Sequence, residues 1–429
     1  MENSVKNLIQ FIDHSPSCFH VIENAKKQFL EHGFIQLEEK EHWNLEEGKS
    51  YFVERNGSSM IAFHLPKKDF QGFHIVASHS DSPTYRIKEQ PEMSVEKHYT
   101  KLNIERYGGM IPETWFDRPL SVAGRIIIEE NGQIKDQLVN VDRDLMIIPN
   151  LAIHMSRSSN ESKQLNPQKD LLPLCGGNLT KDGFEEMIAK ESGVEKEDIL
   201  SYDLFLYNRM RGTTLGINEE FVAAPKLDDL ECAYSSIEGM LNAKLSKDYV
   251  TVCAVFDNEE VGSGTKQGAG STFFPEVLKR ISYLCGKNEE EYYMAVADSF
   301  MLSADNAHAV HPNYQDKTDP TNRPYINEGI VLKYNASQKY TTDANSAALV
   351  KYLCKKEGIN CQVFFNRSDM LGGSTLGNIL TGQVSIKAAD IGLPQLSMHS
   401  TYETAGCKDI EDMITLMRSF YQLGKEVQI

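Results

Sequence analysis

The sequence predicts an α/β fold: a three-layer sandwich into which a mainly β domain is inserted. Apolar runs of strand length alternate with segments of helical periodicity near both ends of the chain, as in a sheet covered by helices. From about residue 92 to residue 220 the pattern changes to strand-like segments separated by turn signals. We therefore expect one domain built from residues 1–91 and 221–429, and a second built from residues 92–220.

Helices are predicted where apolar residues recur every three to four positions. The N-terminal segment has this pattern and stops at Ser15 and Pro16. Four further segments share it: residues 18–31, 230–241, 347–354 before Gly358, and 410–421. Short continuous apolar runs predict strands buried on both faces, at residues 59–65, 73–78, 250–256, 293–297 and 361–365.

The middle of the chain carries turn signals instead. Asn131-Gly132 stands between two strand-like runs, and this dipeptide favours the two-residue turn of a β-hairpin. A polar stretch over residues 156–170 has few apolar side chains and predicts an exposed loop.

Composition limits the class of protein. The chain has 429 residues, of which 41% are hydrophobic, enough for a large core. No apolar run approaches the roughly 20 residues that cross a membrane, and the N-terminus lacks the features of a signal peptide. The eight cysteines form no CxxC pair, as expected of free thiols, so we expect a cytoplasmic protein. The net charge of −17 argues against nucleic acid or an anionic membrane as partner.

The most informative segment is FDNEEVGS, residues 256–263. Glu259 and Glu260 stand side by side after a predicted buried strand, and adjacent side chains of an extended segment point in different directions. One glutamate can then bind a metal while its neighbour faces a water molecule. A solvated acidic loop is the alternative for two glutamates taken alone.

Other acids and histidines stand in similar places. They follow apolar runs or open a helix, and they comprise His79, Asp81, Asp228, Asp305 and His399, with His308 and His311 as reserve ligands. The carboxyl ends of strands in an α/β sheet lie along one edge, so we expect these side chains to converge. Asp81 lies two residues after His79 and can reach its second imidazole nitrogen. Structural roles remain as alternatives: His79 as a strand end, and Asp228 and Asp229 as helix caps.

Histidine and carboxylate ligands without a thiolate favour zinc, cobalt or manganese. Three carboxylates and two histidines suit two metal ions, with one carboxylate bridging them. Two ions roughly 3.5 to 4 Å apart can share a hydroxide and polarise a carbonyl, and the spare glutamate then supplies a general base. This set of side chains predicts hydrolysis.

A glycine-rich segment, GSGTKQGAG at residues 262–270, invites comparison with nucleotide-binding loops. Its glycine spacing matches neither common phosphate-binding pattern, and Lys266 is misplaced for one. We expect a tight backbone loop beside the metals instead.

Five motifs together carry a resemblance: HSDSPT (79–84), PKLDDL (225–230), DNEEVGS (257–263), SFMLSADNAHAVHPNY (299–314) and QLSMHS (395–400). In order and spacing along nearly the whole chain, they resemble a bacterial member of the aspartyl aminopeptidase family of dizinc exopeptidases. The resemblance implies a mixed sheet like that of zinc peptidases and an inserted β domain that mediates dimerisation.

The resemblance also implies residue roles. The metal ligands would be His79, Asp228, Glu260, Asp305 and His399. Asp228 would bridge two divalent ions, most simply zinc, with His79 and Asp305 on one and Glu260 and His399 on the other. Glu259 would be the general base and Asp81 the supporting catalytic acid group.

Substrate and assembly follow from the same resemblance. The expected substrate is a peptide with a free N-terminus, preferably acidic, with Lys333 near its first side chain. His154 would reach the active site of a neighbouring subunit in a tetrahedral dodecamer built from dimers. The chain departs from the family at Asp228-Asp229, where LDN is common, and in the loop at residues 367–377. A neutral-residue aminopeptidase and a non-catalytic assembly or cargo protein remain as alternatives.

Overall fold

The computed structural model of the chain describes residues 2–155, 164–178 and 182–427. The helices within these residues are α1 (Glu2–Asp13), α2 (Cys18–Glu31), α3 (Pro167–Asp170), α4 (Gly183–Ser192), α5 (Leu227–Leu241), α6 (Phe273–Leu284), α7 (Glu289–Ala297), α8 (Ala344–Glu357), α9 (Leu376–Gln383) and α10 (Cys407–Tyr421). The strands are β1 (Ile35–Leu37), β2 (Lys49–Arg55), β3 (Ser59–Leu65), β4 (Phe73–His79), β5 (Thr84–Val95), β6 (Tyr99–Tyr107), β7 (Leu120–Glu130), β8 (Gln133–Asn140), β9 (Leu174–Gly176), β10 (Ile199–Asn208), β11 (Thr213–Leu215), β12 (Phe221–Ala224), β13 (Val250–Phe256), β14 (Phe300–Ala304), β15 (Ala307–His308), β16 (Ile330–Tyr334), β17 (Cys361–Phe365), β18 (Lys387–Gly392), β19 (Pro394–Leu396) and β20 (Glu403–Gly406).

A mixed nine-stranded sheet forms the centre of the fold, in the order β1-β2-β3-β13-β4-β14-β18-β16-β17. Its middle strands β13, β4, β14 and β18 run parallel, so their carboxyl ends lie along one edge. Strands β4 and β13 are buried at every position, because helices cover both faces. One hydrophobic cluster packs α1, α2, α5, α8 and α10 on one face, and another packs α6, α7 and α9 on the other. The result is the predicted three-layer α/β sandwich.

Most of the predicted elements are confirmed, and one is wrong. The helices at both termini, the helix that ends at Gly358, and four of the five strands lie where the apolar patterns place them. Residues 293–297, predicted as a strand, form the end of α7 instead. A capping box between Asn288 and Glu291 starts this helix, and that local hydrogen bonding prevails over a short apolar run that suits either structure.

A second, antiparallel sheet of six strands has the order β8-β7-β10-β5-β6-β9 and its own hydrophobic cluster. The hairpin predicted at Asn131-Gly132 is confirmed: both residues have positive φ, and Glu130 pairs with Gln133 across the turn. The domain boundaries at residues 92 and 220 stay a prediction, and the first falls inside β5. Of the predicted exposed loop at 156–170, residues 156–163 lie outside the described residues, and the rest includes α3.

A third, five-stranded sheet has the order β11-β12-β20-β19-β15. It joins chain segments far apart in sequence and presents the β19–β20 loop, which contains His399, to the edge of the central sheet. All eight cysteines are free thiols. None of the helices in residues 2–155, 164–178 and 182–427 combines the length and the apolar character of a membrane-spanning helix.

Candidate metal centre

The predicted metal ligands and the proposed base come from five chain segments that meet at the carboxyl edge of the central sheet, one of which is the β19–β20 loop with His399. His79 ends β4 and pairs with Phe256, the last residue of β13, so the turn with Glu259 and Glu260 begins beside it. Asp305 directly follows β14, the other neighbour of β4. Asp228 lies at the start of α5, before the helical backbone geometry begins. For His79, Asp305 and the two glutamates, this convergence follows from parallel strands ending together.

The side chains form three overlapping clusters: one of His79, Glu259 and Glu260, and two that share Asp228. Ligand atoms of His79, Asp228, Asp229 and Asp305 lie within 4.8 Å of one another, and so do those of Asp228, Glu260 and His399. Asp228 Oδ1 lies 3.5 Å from His79 Nε2, whereas Asp228 Oδ2 lies 3.2 Å from His399 Nε2. The two oxygens of one carboxylate thus face two different imidazoles, as a carboxylate shared between two metal ions would.

Two of these carboxylates have buried oxygens without a hydrogen-bond partner among the described residues, and such oxygens suit a bound cation. Asp228 is 3% exposed, and the side chain of Glu260 is 4% exposed. Among the described residues, neither Asp228 Oδ1 nor Glu260 Oε1 has a hydrogen-bond partner. Buried carboxylate oxygens without a donor are costly, and a bound cation would compensate them. Oxygen and imidazole donors together suit zinc.

The pKa values of the site show the same excess of negative charge. Burial, followed by the carboxylate of Asp228, raises the pKa of Glu260 well above its usual value. Burial, with Asp305 and Asp81 nearby, raises the pKa of Glu259 to about 8. Burial would also raise the pKa of Asp228, but the imidazoles of His399 and His79 hold it below its usual value. Divalent cations would remove the penalty of gathering these carboxylates.

Asp81 connects His79 with the two glutamates. Its carboxylate Oδ1 lies 3.4 Å from His79 Nδ1, but its backbone carbonyl oxygen is closer to that nitrogen, at 3.1 Å. The carboxylate accepts hydrogen bonds from the backbone N–H groups of Glu259, at 3.1 Å, and Glu260, at 3.2 Å. Asp81 therefore fixes the turn that carries both glutamates.

Three polar residues support this site in roles that the sequence does not predict: Tyr107 and Glu403, which have no predicted role, and Asp229, which is predicted only as a possible helix cap. Tyr107, at the end of β6 in the six-stranded sheet, donates its hydroxyl to Asp81 Oδ2 at 2.6 Å. Asp229 Oδ2 accepts from the backbone N–H of His79 at 3.0 Å. Glu403 accepts from the backbone N–H groups of two predicted ligands, His399 and Asp228. Glu403 lies four residues after His399, but its sequence position does not reveal this contact.

A cavity of about 300 Å³ opens beside the clustered side chains. Its lining includes Asp228, Glu259, Glu260, Asp305, His308, Lys333, Tyr340, Phe364, Thr375 and His399. Both glutamates thus reach a space that can hold part of a substrate. His308 lines the cavity, whereas His311 does not. Neither histidine belongs to a ligand cluster among the described residues.

Lys333 and His154 occupy very different places. Lys333 is 2% exposed, and its ammonium group donates to the backbone carbonyl oxygens of Asp305, at 2.8 Å, and Asn306, at 3.1 Å. Burial would lower the pKa of Lys333, but Asp305 and other anionic neighbours raise it above its usual value, so the side chain stays charged. His154 lies in an exposed 3-10 turn, Ile153–Met155, and joins none of the ligand clusters.

The glycine-rich segment forms a tight loop after the glutamates. Side chains at Gly268 or Gly270 would collide with the backbone oxygen of Ser263, at 2.4 and 2.8 Å from the added carbon. The glycines therefore permit a close backbone approach, as expected from the sequence.

Known proteins are similar to this chain in both sequence and fold. Residues 11–421 match the sequence model of the aminopeptidase I zinc metalloprotease (M18) family. A probable M18 family aminopeptidase 2 of Clostridium acetobutylicum is 45% identical over 97% of this chain and 98% of its own length. Another, from Pseudomonas aeruginosa, is 36% identical over 97% of each chain.

Solved structures agree with this similarity. Ape4, determined in a complex of Ape4 and Nbr1, has a TM-score of 0.95 and 36% identity, covering 98% of this chain and 86% of that one. The S. cerevisiae mApe1 dodecamer gives a TM-score of 0.85 and 26% identity, covering 98% and 97%. With the family match spanning nearly the whole sequence, the chain belongs to the aminopeptidase I zinc metalloprotease (M18) family and is a metal-dependent aminopeptidase.

Proposed function

We propose that this protein removes the N-terminal residue of peptides with two zinc ions held by five side chains. His79 and Asp305 would hold one ion, Glu260 and His399 the other, and Asp228 would contact both. The observation that carries this proposal is the position of Asp228, whose two oxygens face separate imidazoles at 3.5 and 3.2 Å. Cobalt or manganese would suit the same oxygen and nitrogen donors.

When bound, the metal pair would lower the pKa of a water molecule towards about 7 and stabilise negative charge on the scissile carbonyl oxygen. Glu259 borders the same cavity without belonging to the proposed ligand set. Its carboxylate would take a proton from the attacking water and deliver it to the nitrogen of the leaving amine, as a general base and then a general acid. Asp81 accepts a hydrogen bond from the backbone N–H of Glu259 and would thereby keep the Glu259 carboxylate in place.

Metal removal and replacement tests this proposal. Treatment with a chelator should abolish hydrolysis of an aminoacyl chromogenic substrate, and added zinc, cobalt or manganese should restore it. Light scattering of the same samples monitors assembly. Retained assembly without hydrolysis under any of these metals would favour the alternative of a non-catalytic assembly protein.

We further propose that the enzyme prefers peptides with an acidic N-terminal residue. The support is Lys333, a buried cation in the wall of the cavity. Its ammonium group has three N–H donors, of which two bind backbone carbonyl oxygens. The Asp305 carboxylate lies farther away, at 3.8 Å, so a substrate carboxylate would compete with it for the third N–H. A hydrogen bond between charged groups contributes about 1.5 to 3 kcal/mol, or roughly one to two decades of preference.

We also propose that the chain forms a homo-oligomer, built from dimers through the six-stranded sheet, with the dodecamer as its complete state. The mApe1 relative is a dodecamer. Around His154, four large apolar side chains are 37 to 77% exposed: Ile147, Leu151, Ile153 and Met155. Exposed apolar side chains close together in the sequence favour an interface, and His154 among them would reach a neighbouring active site. Light scattering should give twelve times the 48.4 kDa chain mass.

A further inference from the structure

We propose that Glu403 is a positioning residue that sets the relative placement of Asp228 and His399, and thereby the affinity of the site for zinc. This inference rests on the proposed function only in taking these two side chains as ligands. Glu403 is 2% exposed and opens β20 in the five-stranded sheet. It therefore approaches the metal centre from outside the central sheet.

The carboxylate of Glu403 binds the backbones of both ligands at once. Its Oε1 accepts from the backbone N–H of His399 at 2.7 Å, and its Oε2 accepts from the backbone N–H of Asp228 at 3.0 Å. These residues belong to different elements, the β19–β20 loop and the start of α5, and they are far apart in sequence. One rigid carboxylate thus fixes the distance between two backbone segments whose side chains face each other at 3.2 Å.

The backbone of His399 needs such support. Its φ is +66°, in the left-handed region that side-chain-bearing residues seldom adopt. The N–H of His399 is held by Glu403, and its carbonyl oxygen accepts from the N–H of Ile111 at 3.1 Å. Surrounding contacts of this kind are what maintain an unfavourable backbone conformation at a functional site.

Chemistry explains why glutamate is suited to this position. Burial raises the pKa of Glu403 well above its usual value, and the backbone N–H groups of Asp228 and His399 counteract this shift by donating to its two oxygens. A glutamine would present an NH₂ group to one of these N–H donors, leaving that backbone group unpaired. An aspartate would keep the charge but is shorter by one methylene, so it would not span both backbone groups in the same geometry.

Asp409 supplies a matched control. It is fully buried in the first turn of α10 and, like Glu403, accepts two backbone N–H groups, from Asn327 at 2.6 Å and Gly329 at 2.8 Å. Neither of those residues is a predicted ligand. Asp409→Asn therefore disturbs the same kind of buried hydrogen bonding without altering the backbone of Asp228 or His399.

The experiment compares Glu403→Gln, Glu403→Asp and Asp409→Asn with the wild-type enzyme. Zinc dissociation constants are measured by competition with a chromogenic chelator, and Tm is measured for each metal-free protein. Both Glu403 variants should bind zinc 10- to 100-fold more weakly, the range seen when support of metal ligands is lost. Asp409→Asn should lower the metal-free Tm, because it leaves a buried backbone N–H without an acceptor, but should change zinc affinity less than about threefold.

Each other outcome has a defined meaning. Wild-type zinc affinity in Glu403→Asp but not in Glu403→Gln would show that only charge matters and would overturn the proposal. Equal weakening in Asp409→Asn would overturn it in favour of general destabilisation. If both Glu403 variants fail to fold while Asp409→Asn folds, Glu403 is structural and the proposal is also overturned. A wild-type protein that hydrolyses peptides without any metal would instead contradict the proposed function.

Discussion

The central sheet and the six-stranded sheet differ in how the charge of their buried and half-buried carboxylates is compensated. At the carboxyl edge of the central sheet, the side chains of Asp228 and Glu260 are buried, and one oxygen of each, Asp228 Oδ1 and Glu260 Oε1, has no hydrogen-bond partner among the described residues. In the six-stranded sheet, the side chain of Asp203 is 27% exposed and binds Arg86 at 2.7 Å and Arg125 at 3.0 Å. The first arrangement is costly without a cation from outside the chain, whereas the second is neutralised within it.

The difference distinguishes a functional site from a structural ion pair without reference to sequence motifs. Both regions are rich in carboxylates, so the number of acids alone says little about function. What matters is whether the chain itself supplies the donors. Tyr107 shows that the regions are also connected, because it extends from the six-stranded sheet to Asp81 beside the metal centre.

The largest expected effect comes from removing the proposed base. Glu259→Gln should lower kcat by about 10²- to 10⁴-fold, because the amide cannot accept the proton of the attacking water. Zinc content should stay at the wild-type level, since Glu259 is outside the proposed ligand set. Steady-state kinetics with metal analysis checks both, and the exposed Glu290→Gln serves as control. Near-normal turnover at full zinc content would contradict the assignment.

The convergence of the metal site could be predicted from the sequence because its cause is local. His79, Asp305 and the Glu259–Glu260 pair each follow a strongly apolar strand, and parallel strands end together. Tyr107 and Glu403 could not be found this way. Tyr107 ends β6 and Glu403 opens β20, but their contacts depend on how the six-stranded and five-stranded sheets pack on the central sheet.

Prediction from short sequence patterns also failed where the same residues are compatible with either a strand or a helix. Residues 293–297 have the short apolar run of a buried strand, but the capping box at Asn288 extends a helix through them. The five-stranded sheet was missed since its strands have two to four residues and pair across distant parts of the chain. Such pairing leaves little periodic signal in the sequence.

The second prediction concerns the cation in the cavity wall. Lys333→Met should lower the ratio of kcat/KM for an aspartyl over a leucyl chromogenic substrate by roughly 10- to 100-fold, through loss of a charge-assisted hydrogen bond. The ratio is the proper measure because the bonds of Lys333 to Asp305 and Asn306 affect both substrates alike. A leucyl preference in the wild-type enzyme that Lys333→Met leaves unchanged would support the neutral-residue alternative.

The third prediction tests the connection between the two sheets. Tyr107→Phe removes a hydroxyl that donates to Asp81 at 2.6 Å and accepts from Asn258 at 2.8 Å, so kcat should fall about tenfold. KM should change little, because Tyr107 is not part of the cavity wall. Tyr202→Phe is the matched control: its hydroxyl binds backbone carbonyl oxygens of Lys88 and Glu89 within the six-stranded sheet. Equal losses in both variants would indicate a general effect on that sheet.

The smallest expected effect is at the paired charges of the six-stranded sheet. Asp203→Asn weakens two partly exposed ion pairs, so the free energy of unfolding should fall by less than about 1 kcal/mol. Activity and zinc content should be unchanged. Chemical denaturation with parallel activity assays provides the measurement. A loss of zinc in Asp203→Asn would mean that the two regions do not differ as described.

The most direct test of the central claim, that the clustered side chains bind two divalent cations, is anomalous X-ray diffraction at the zinc edge from crystals of the zinc-loaded enzyme. The account predicts two peaks in each chain. One should lie between His79 and Asp305, the other between Glu260 and His399, and Asp228 should contact both. A single peak, or zinc bound away from these residues in a fully active enzyme, would contradict it.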